Sequence, residues 1–257
     1  MLLAIDAGNT NVVFAVYDGE AQRGIWRVAT DQRRTSDEYA VWLIQLMAMV
    51  NLGKSDITDA ILASVVPTVT FHLVRLCRHH FDCTPMEVGA HGVDLGVKVL
   101  LDNPEDVGAD RLVNTVAAGA TYDPPLIVVD FGTATSFDIV DADGNFCGGV
   151  IAPGIHQSID ALHKAAAKLP KVEVARPERV IGNGTIGAMQ SGIFWGYIGL
   201  IEGLVTRIKS EYGAEMRVIG TGGLAGLFSE ATNMIEQTDG DLTMRGLLHI
   251  FERNRQT

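Results

Sequence analysis

The feature that most constrains the fold of this chain is a pattern that occurs once in each half. Asp6 follows directly on a short apolar run, and Gly8 leads from it into a second apolar run. Asp130 and Gly132 stand in the same arrangement, at an offset of 130 − 6 = 124 residues. The same offset places Val13 on Phe137 and Val16 on Val140. The repeat predicts an internal duplication, and therefore two related lobes.

Hydrophobic periodicity predicts the elements around these repeats. In the first half we expect a hairpin over 2–17, a helix over 35–50 with a capping box, a strand over 60–66, a helix over 69–81 and a strand over 86–88. In the second half we expect strands over 126–129, 136–140, 146–151 and 216–219, and helices over 156–169, 185–212 and 242–254. The alternation predicts an α/β fold with mixed sheets flanked by helices. We place the lobes at 1–115 and 116–257, with the last helix in either lobe.

Charge and cysteine usage narrow the class of protein. The chain has 31 acidic and 20 basic residues, a net charge of −11, and no Lys/Arg block, which disfavours nucleic acid and anionic membranes as partners. The most apolar long stretch, 192–205, is shorter than a membrane span and contains Glu202. Cys77, Cys83 and Cys147 form no CxxC pattern, which favours a reducing cytoplasm over a disulfide framework or a zinc site.

The two Asp-x-Gly segments have the chemistry of phosphate loops. Each places a carboxylate at the carboxyl end of a buried strand, beside a glycine turn and small hydroxyl or amide side chains. Backbone N–H groups in such a turn can bind phosphate oxygens, and the carboxylate can hold a cation against them. A single Asp-x-Gly segment is often an ordinary turn. Two copies at equivalent positions favour a nucleotide site.

A further candidate site lies at the predicted start of a helix near residue 112. Gly108–Arg111 would stand at the N-terminus of this helix, a favourable place for an anion. Asp110 could accept a hydroxyl proton as a general base while Arg111 holds a carboxylate or amide oxygen. The alternative is that Asp110 is only a first-turn helix carboxylate and Arg111 a solvated charge.

Three other glycine patterns give weaker signals. The segment 220–223 follows an apolar strand and could lie under an adenine or a ribose, although a helix-capping turn would look similar. The segment 53–55 resembles the end of a Walker A loop, but Ala48 occupies the position of the first glycine, so we reject that interpretation. The segment 182–187 matches GxGxxG, but no full strand precedes it and Glu202 lies in a helix, so we also reject a dinucleotide site.

Five motifs in combination resemble those of the type III pantothenate kinases. They are DAGNTN at 6–11, NPEDVGADR at 103–111, DFGTATSFD at 130–138, GGVIAPGI at 148–155 and AMQSG at 188–192. The resemblance extends over nearly the whole chain. It implies the fold of the acetate and sugar kinase, heat-shock chaperone and actin superfamily, with two ribonuclease-H-like lobes and an ATP cleft between them. It also implies ATP-dependent phosphorylation of pantothenate to 4′-phosphopantothenate, the first step of coenzyme A biosynthesis.

The resemblance implies a role for each motif residue. The ATP-binding residues would be Asp6, Ala7, Gly8, Asn9, Thr10, Asn11, Val12, Val13 and Thr133. The pantothenate-binding residues would be Gly108, Ala109, Asp110, Arg111 and Thr185, with Asp110 as the catalytic base. Asp6 would hold Mg²⁺ through water, and Asp130 would bind a monovalent cation, K⁺ or NH₄⁺. Thr185 would reach the substrate from the partner subunit of a homodimer, and it could also be a helix N-cap.

The sequence departs from the family pattern at one position, and two functions other than pantothenate kinase stay open. Many members of the family have an aromatic residue where this chain has Leu101, so an aromatic contact with pantothenate is not expected here. A non-enzymatic regulator of the same fold is the first rival, and the retention of Asp6, Asp130, Asp110 and Arg111 argues against it. The second rival is a kinase that acts on another small alcohol.

Overall fold

The computed structural model describes residues 1–166 and 169–255. In chain order the elements are β1 (Leu2–Ala7), β2 (Asn11–Asp18), β3 (Ala21–Ala29), α1 (Ser36–Met49), β4 (Asp59–Ser64), α2 (Pro67–His80), β5 (Met86–Glu87), α3 (Ala109–Thr121), β6 (Leu126–Phe131), β7 (Ala134–Val140), β8 (Phe146–Pro153), α4 (Ile155–Ala165), α5 (Thr185–Tyr212), β9 (Arg217–Gly222), α6 (Ala225–Ser229), β10 (Gln237–Thr238) and α7 (Leu242–Arg255). Short 3₁₀ turns lie at Lys54–Asp56 and Pro104–Asp106.

The chain divides into two compact units. The first contains Met1–Ala120 and the segment from Asp241 onward, and the second contains Thr121–Gly240. The division after residue 120 lies 120 − 115 = 5 residues beyond the one placed from the sequence. The C-terminal helix α7 is part of the first unit.

The first unit is a five-stranded sheet with helices on both faces. The strand order is β3-β2-β1-β4-β5, with β1 antiparallel to β2 and parallel to β4. On one face, Leu3, Ile5 and Phe14 pack in a buried cluster with residues of α1 and α2. On the other face, residues of α3 and α7 pack with Ala4 and Ala15. Burial on both faces explains why β1 is apolar up to Asp6.

The second unit repeats this topology. Its strand order is β10-β9-β6-β7-β8, with β6 antiparallel to β7 and parallel to β9. Residues Ile127, Val129 and Phe137 pack with the apolar side of α5 in one buried cluster. Each sheet therefore starts with three antiparallel strands and adds two parallel strands through helical crossovers. The predicted duplicated α/β fold is confirmed.

The offset of 124 residues holds for the first strand of the repeat and fails after it. Asp6 pairs with Val13 across the first hairpin, whereas Asp130 pairs with Ser136 across the second. Val13 therefore corresponds to Ser136, and the pairing of Val13 with Phe137 expected from the sequence is wrong. By the same register, Val16, which faces Leu3, corresponds to Ile139, which faces Ile127, and not to Val140. The cause is the turn, which is one residue shorter in the second unit.

Local sequence signals explain most element boundaries. The predicted capping box of α1 is confirmed, because Glu38 N–H donates to Thr35 Oγ1 at 3.4 Å and Thr35 N–H donates to Glu38 Oε2 at 2.8 Å. The expected helix 156–169 ends at Ala165, and residues 167–168 of that prediction lie outside the described residues. None of the helices in the described ranges has the length and hydropathy that a membrane span requires.

Three elements were missed from the sequence. Strand β3 is an edge strand with a half-exposed, mixed pattern, so its hydrophobic signal is weak. Helix α6 has 5 residues and β10 has 2, which is too short for a periodic signal. Of the three, β3 matters most for function, because the residue that follows it contacts the first loop described below.

Candidate active site

The first loop, Gly8–Asn11, connects β1 to β2 at the carboxyl end of the sheet. Asp6 precedes it, half-buried between Val13 of β2 and Ala63 of β4. The Gly8 N–H donates to the Asn11 carbonyl at 3.0 Å and narrows the turn. Asn9 and Thr10 are exposed at its tip. The loop therefore presents backbone groups and small polar side chains beside a carboxylate, as predicted.

The first loop is also fastened by a residue that sequence reasoning missed. Thr30, just after β3, donates its hydroxyl to the Gly8 carbonyl at 2.7 Å. Its backbone N–H donates to the Thr10 carbonyl at 2.9 Å. Thr30 lies 22 residues from Gly8, and only the β2–β3 pairing brings the two together. No local motif could have identified it.

The second loop, Gly132–Ala134, connects β6 to β7 in the second unit. Asp130 precedes it, half-buried between Ser136 of β7 and Thr221 of β9. The Gly132 N–H donates to the Ala134 carbonyl at 3.0 Å. This bond spans one residue fewer than the corresponding bond in the first loop. The missing residue is what shifts the register of the second hairpin relative to the first.

Gly154 holds the start of α4 directly against the second loop. A Cβ atom on Gly154 would lie 1.9 Å from the Thr133 carbonyl oxygen, so only glycine fits there. The Ser158 hydroxyl donates to the Gly154 carbonyl at 3.1 Å and lies 3.0 Å from the Tyr197 hydroxyl. The last glycine of the motif at 148–155 therefore has a structural role: it allows the N-terminus of α4 to approach Thr133.

Oxygen atoms of two kinds lie close together beside Asp130. Gly222, at the end of β9, has φ +88°, and a Cβ there would lie 2.7 Å from Asp130 Oδ1 and 2.6 Å from the Phe131 carbonyl oxygen. Only glycine fits at position 222, and a carboxylate oxygen and a carbonyl oxygen lie close together beside it. Oxygen donors of these two kinds suit K⁺, for which carbonyl oxygens replace the hydration shell. In the described ranges, no cluster of three or more His, Cys, Asp or Glu has the arrangement of a metal site.

Asp110 and Arg111 lie in the first turn of α3, behind Gly108. The Arg111 N–H donates to Asp110 Oδ1 at 2.8 Å and to the Gly108 carbonyl at 3.1 Å. A Cβ on Gly108 would lie 2.6 Å from Asp110 Oδ1, so glycine gives this carboxylate its room. The Nη2 atom of Arg111 is buried while the residue as a whole is half-exposed, so its guanidinium is only partly solvated.

Burial raises the pKa of Asp110 above the ordinary value of an aspartic acid. The Arg111 N–H and the positive charge of Arg111 act in the opposite direction and only partly offset it. A carboxylate with a raised pKa is a stronger base than one with the ordinary value. These are the properties required of a general base.

Val65 contacts both the residue before the first loop and Gly108, which lies beside Asp110. The Val65 N–H donates to the Ala7 carbonyl at 3.1 Å, immediately before the first loop. The side chain of Val65 also borders Gly108, with its Cγ1 3.3 Å from where a Cβ would stand. The predicted ATP loop and the predicted substrate segment 108–111 therefore meet at the carboxyl end of neighbouring strands β1 and β4. Ligands of α/β sheets commonly bind at this edge.

Thr185 is the first residue of α5 and is exposed. The N-cap of the helix is Gly184, so the expectation that Thr185 could serve as the N-cap is wrong. Thr185 borders a cavity of about 680 Å³ between α4 and α5, whose other walls are mostly apolar, among them Leu162, Met189, Ile193 and Leu200. Within the second unit, Asp130 and Thr133 lie together, while Thr185 lies on this separate helical surface.

The rejected glycine patterns have structural explanations. Asp56 accepts from the Gly53 N–H at 2.7 Å, so the Gly-Lys-Ser segment is a 3₁₀ turn. A Cβ on Gly182 would lie 2.2 Å from the Ala188 nitrogen, so the GxGxxG match allows a loop to pack on the first turn of α5. Glu202 accepts from the Thr232 hydroxyl at 2.8 Å instead of standing at a strand end.

The fold is shared with proteins of known structure. A Campylobacter jejuni protein described as a Baf family transcriptional activator has a TM-score of 0.63 at 18% identity, with 99% of this chain and 100% of that one covered. The inorganic polyphosphate/ATP-glucomannokinase of Arthrobacter sp. strain KM has a TM-score of 0.51 at 14% identity, covering 99% and 98%. At such low identity the likeness concerns the fold alone.

The amino-acid sequence is similar to one protein family over most of its length. The profile of the type III pantothenate kinases matches residues 2–207. The type III pantothenate kinase of Paramagnetospirillum magneticum is 64% identical over 254 residues, covering 99% of this chain and 98% of the relative. That of Rhodospirillum centenum is 62% identical over 258 residues, covering 99% of both. The chain therefore belongs to the type III pantothenate kinase family.

Proposed function

We propose that this kinase transfers the γ-phosphoryl group of ATP to the primary hydroxyl of pantothenate, with Asp110 as the general base. The family supplies the reaction class: ATP-dependent phosphorylation of pantothenate, which produces 4′-phosphopantothenate for coenzyme A biosynthesis. The observation that supports these residue roles best is the contact of Val65 with both Ala7 and Gly108. Through it, the first loop and the half-buried carboxylate of Asp110 lie at one edge of one sheet.

The first loop would bind the phosphate groups of ATP. Its residues, with their neighbours, are Asp6, Ala7, Gly8, Asn9, Thr10, Asn11, Val12 and Val13. Backbone N–H groups at the exposed tip would donate to phosphate oxygens, and Thr133 of the second loop would also contact ATP. Asp6 would hold the Mg²⁺ of the nucleotide through water. That ion neutralises charge on the β- and γ-phosphates when it is bound.

Pantothenate would be held by Gly108, Ala109, Asp110 and Arg111. The guanidinium of Arg111 matches a carboxylate or an amide oxygen of the substrate. Asp110 would accept the proton of the primary hydroxyl of pantothenate. The oxygen of that hydroxyl would form a bond to the γ-phosphorus, and the bond from the γ-phosphorus to ADP would break. Positioning and charge neutralisation supply most of the rate in such reactions, and proton removal adds roughly 10²–10⁴-fold. Leu101, half-buried, offers an apolar contact in place of an aromatic one.

A monovalent cation would bind beside Asp130. The Asp130 carboxylate and the Phe131 carbonyl, which lie close together beside Gly222, would hold it. Bound there, K⁺ or NH₄⁺ would supply positive charge for the phosphate groups. A larger residue at position 222 would clash with both oxygens and displace them.

A second copy of the chain would complete the substrate site through Thr185. Support comes from the apolar cavity between α4 and α5, which Thr185 borders, and from the exposed apolar residues near it, Val180, Ile181 and Ile186. Apolar surface of this kind is typical of contacts between subunits. We also propose a cytoplasmic location, which the free thiols of Cys77, Cys83 and Cys147 suit.

A transfer assay tests this proposal against the rival kinases. Phosphoryl transfer from γ-labelled ATP is measured with pantothenate, glycerol and hexoses as acceptors, in K⁺, NH₄⁺ or Na⁺ buffers. We expect transfer to pantothenate alone, faster in K⁺ or NH₄⁺ than in Na⁺, and loss of that cation dependence in Asp130→Asn. Equal transfer to another alcohol would contradict the substrate assignment. Equal rates in all three buffers would contradict the cation site.

A further inference from the structure

Thr30 makes two hydrogen bonds to the first loop, one from its side chain and one from its backbone. Its hydroxyl donates to the Gly8 carbonyl at 2.7 Å, and its N–H donates to the Thr10 carbonyl at 2.9 Å. Together with the bond from Gly8 N–H to the Asn11 carbonyl, these contacts fix both arms of the turn. Asn9, at the exposed tip, takes part in none of these three bonds.

The hydroxyl bond also determines which way one peptide group of the loop faces. In a standard two-residue hairpin turn, the carbonyl of the first residue accepts from the N–H three residues later. Gly8 accepts from Thr30 instead, and within the described part of the chain no bond runs from Asn11 N–H to the Gly8 carbonyl. Because the C=O and N–H of one trans peptide group point in opposite directions, the N–H of Asn9 is turned away from Thr30.

The Asn9 N–H is therefore available to a ligand. It has no acceptor among residues 1–166 and 169–255, and Asn9 is exposed. A backbone donor held in a fixed direction binds an anion better than one that must be oriented on binding. The Thr30 hydroxyl supplies this preorganisation, whereas the β2–β3 pairing alone would fix only the arm at Thr10.

We propose that Thr30 is a positioning residue, which orients the first loop to bind the phosphate groups of ATP through its hydrogen bond to the Gly8 carbonyl. This inference rests on the assignment of residues 6–13 to ATP. Thr30 itself touches neither substrate. Its effect passes through the peptide group between Gly8 and Asn9, so its loss should weaken nucleotide binding and leave pantothenate binding unchanged.

The test compares side chains at position 30 in the full-length enzyme. Thr30→Val and Thr30→Ala remove the hydroxyl, and Thr30→Ser restores it. Thr58→Val is the matched control, since Thr58 is an exposed threonine at the opposite end of β1. Binding of ADP with Mg²⁺ is measured by calorimetry, KM for ATP and for pantothenate by steady-state kinetics, and folding by thermal unfolding.

We expect Thr30→Val and Thr30→Ala to weaken ADP binding and to raise KM for ATP by about tenfold, the cost of leaving one polar group without its partner. KM for pantothenate should change less than about twofold, and Thr30→Ser and Thr58→Val should match the wild type within about threefold. Unchanged ADP binding in Thr30→Val would overturn the inference. Failure of both hydroxyl-free variants to fold would overturn it too, because the role would then be structural.

A further variant separates this inference from the function on which it rests. Asp6→Asn removes a carboxylate that we assign directly to nucleotide binding, and it leaves the hydrogen bonds of Thr30 in place. If Asp6→Asn weakens nucleotide kinetics and Thr30→Val does not, only the role of Thr30 is wrong. If neither variant affects ADP binding or KM for ATP, the assignment of the loop to ATP is wrong as well.

Discussion

At the scale of single residues, a glycine makes room for each of two candidate carboxylates, one in each unit. Asp110 has space because residue 108 is glycine, and Asp130 has space because residue 222 is glycine. The sequence located both carboxylates, since each stands in a recognisable motif. It could not show that Gly222 has a positive φ or that Thr30 contacts Gly8, because both facts depend on strand pairing between distant segments.

The raised pKa of Asp110 predicts the pH dependence of the enzyme. Asp110 must be ionised to accept a proton, so kcat/KM for pantothenate should fall as the pH drops through its pKa. Burial raises that pKa, so the acid limb should lie above the ordinary aspartic acid value of about 3.9. A pH–rate profile measures it. An acid limb at or below the ordinary value would contradict the proposed environment of the base.

The same burial predicts the sign of a stability change. A carboxyl group whose pKa is raised by folding opposes folding in its ionised form, at every pH above the folded-state pKa. Asp110→Asn removes that charge and should unfold at the wild-type temperature or higher near neutral pH, while activity falls. Thermal unfolding at neutral pH and at acid pH checks this, and the advantage of the variant should shrink as the wild-type carboxyl becomes protonated.

At the scale of elements, the period of the hydrophobic pattern predicted the long helices well. The turn sequences did not predict the register of the second hairpin. Helices α1, α5 and α7 were predicted nearly to the residue, because caps and long apolar faces specify them. The edge strand β3 was missed, because six of its nine residues are exposed and none is buried. The register of the second hairpin was wrong by one residue, since a single offset cannot represent a deletion within a turn.

The contact between α4 and the second loop predicts an effect for one glycine. Gly154→Ala would place a methyl group 1.9 Å from the Thr133 carbonyl oxygen, so the helix or the loop must move. We expect a loss of about 1–3 kcal/mol in the free energy of unfolding, together with a higher KM for ATP. Chemical denaturation and steady-state kinetics provide the two measurements.

Gly184→Ala is the matched control for this change. Gly184 is also a helix N-cap glycine, but a Cβ there would meet no atom within 4 Å. Its replacement should cost less than about 1 kcal/mol, the usual range for a cap residue. Equal losses from the two variants would show that the cost at Gly154 comes from capping and not from the approach to Thr133.

At the scale of the whole molecule, the chain returns to its first unit after building the second. Helix α7 buries Met244, Leu247 and Ile250 in the first unit, although it lies at the other end of the sequence. The periodicity of α7 predicted a helix but left its place open, because an amphipathic face does not identify the surface that it packs on. The same limit applies to the exposed apolar surface near α5.

Complementation between variants tests whether Thr185 acts on the partner subunit. Asp110→Asn and Thr185→Ala should each be inactive or weak as homodimers. If Thr185 acts in trans, a mixed dimer contains one site with Asp110 of one subunit and Thr185 of the other, and the purified mixed dimer should regain up to half of the wild-type activity. If activity is not restored although mixed dimers form, Thr185 acts within its own subunit or not at all.

The most direct test of the whole account is the turnover number of Asp110→Asn in a coupled assay with ATP and pantothenate at saturating K⁺. The account predicts a fall in kcat of roughly 10²–10⁴-fold, with KM for ATP and thermal stability preserved. Asn keeps the size of the side chain and removes both its negative charge and its basicity. Near-normal kcat in this variant would contradict the assignment of Asp110 as the base that accepts the hydroxyl proton.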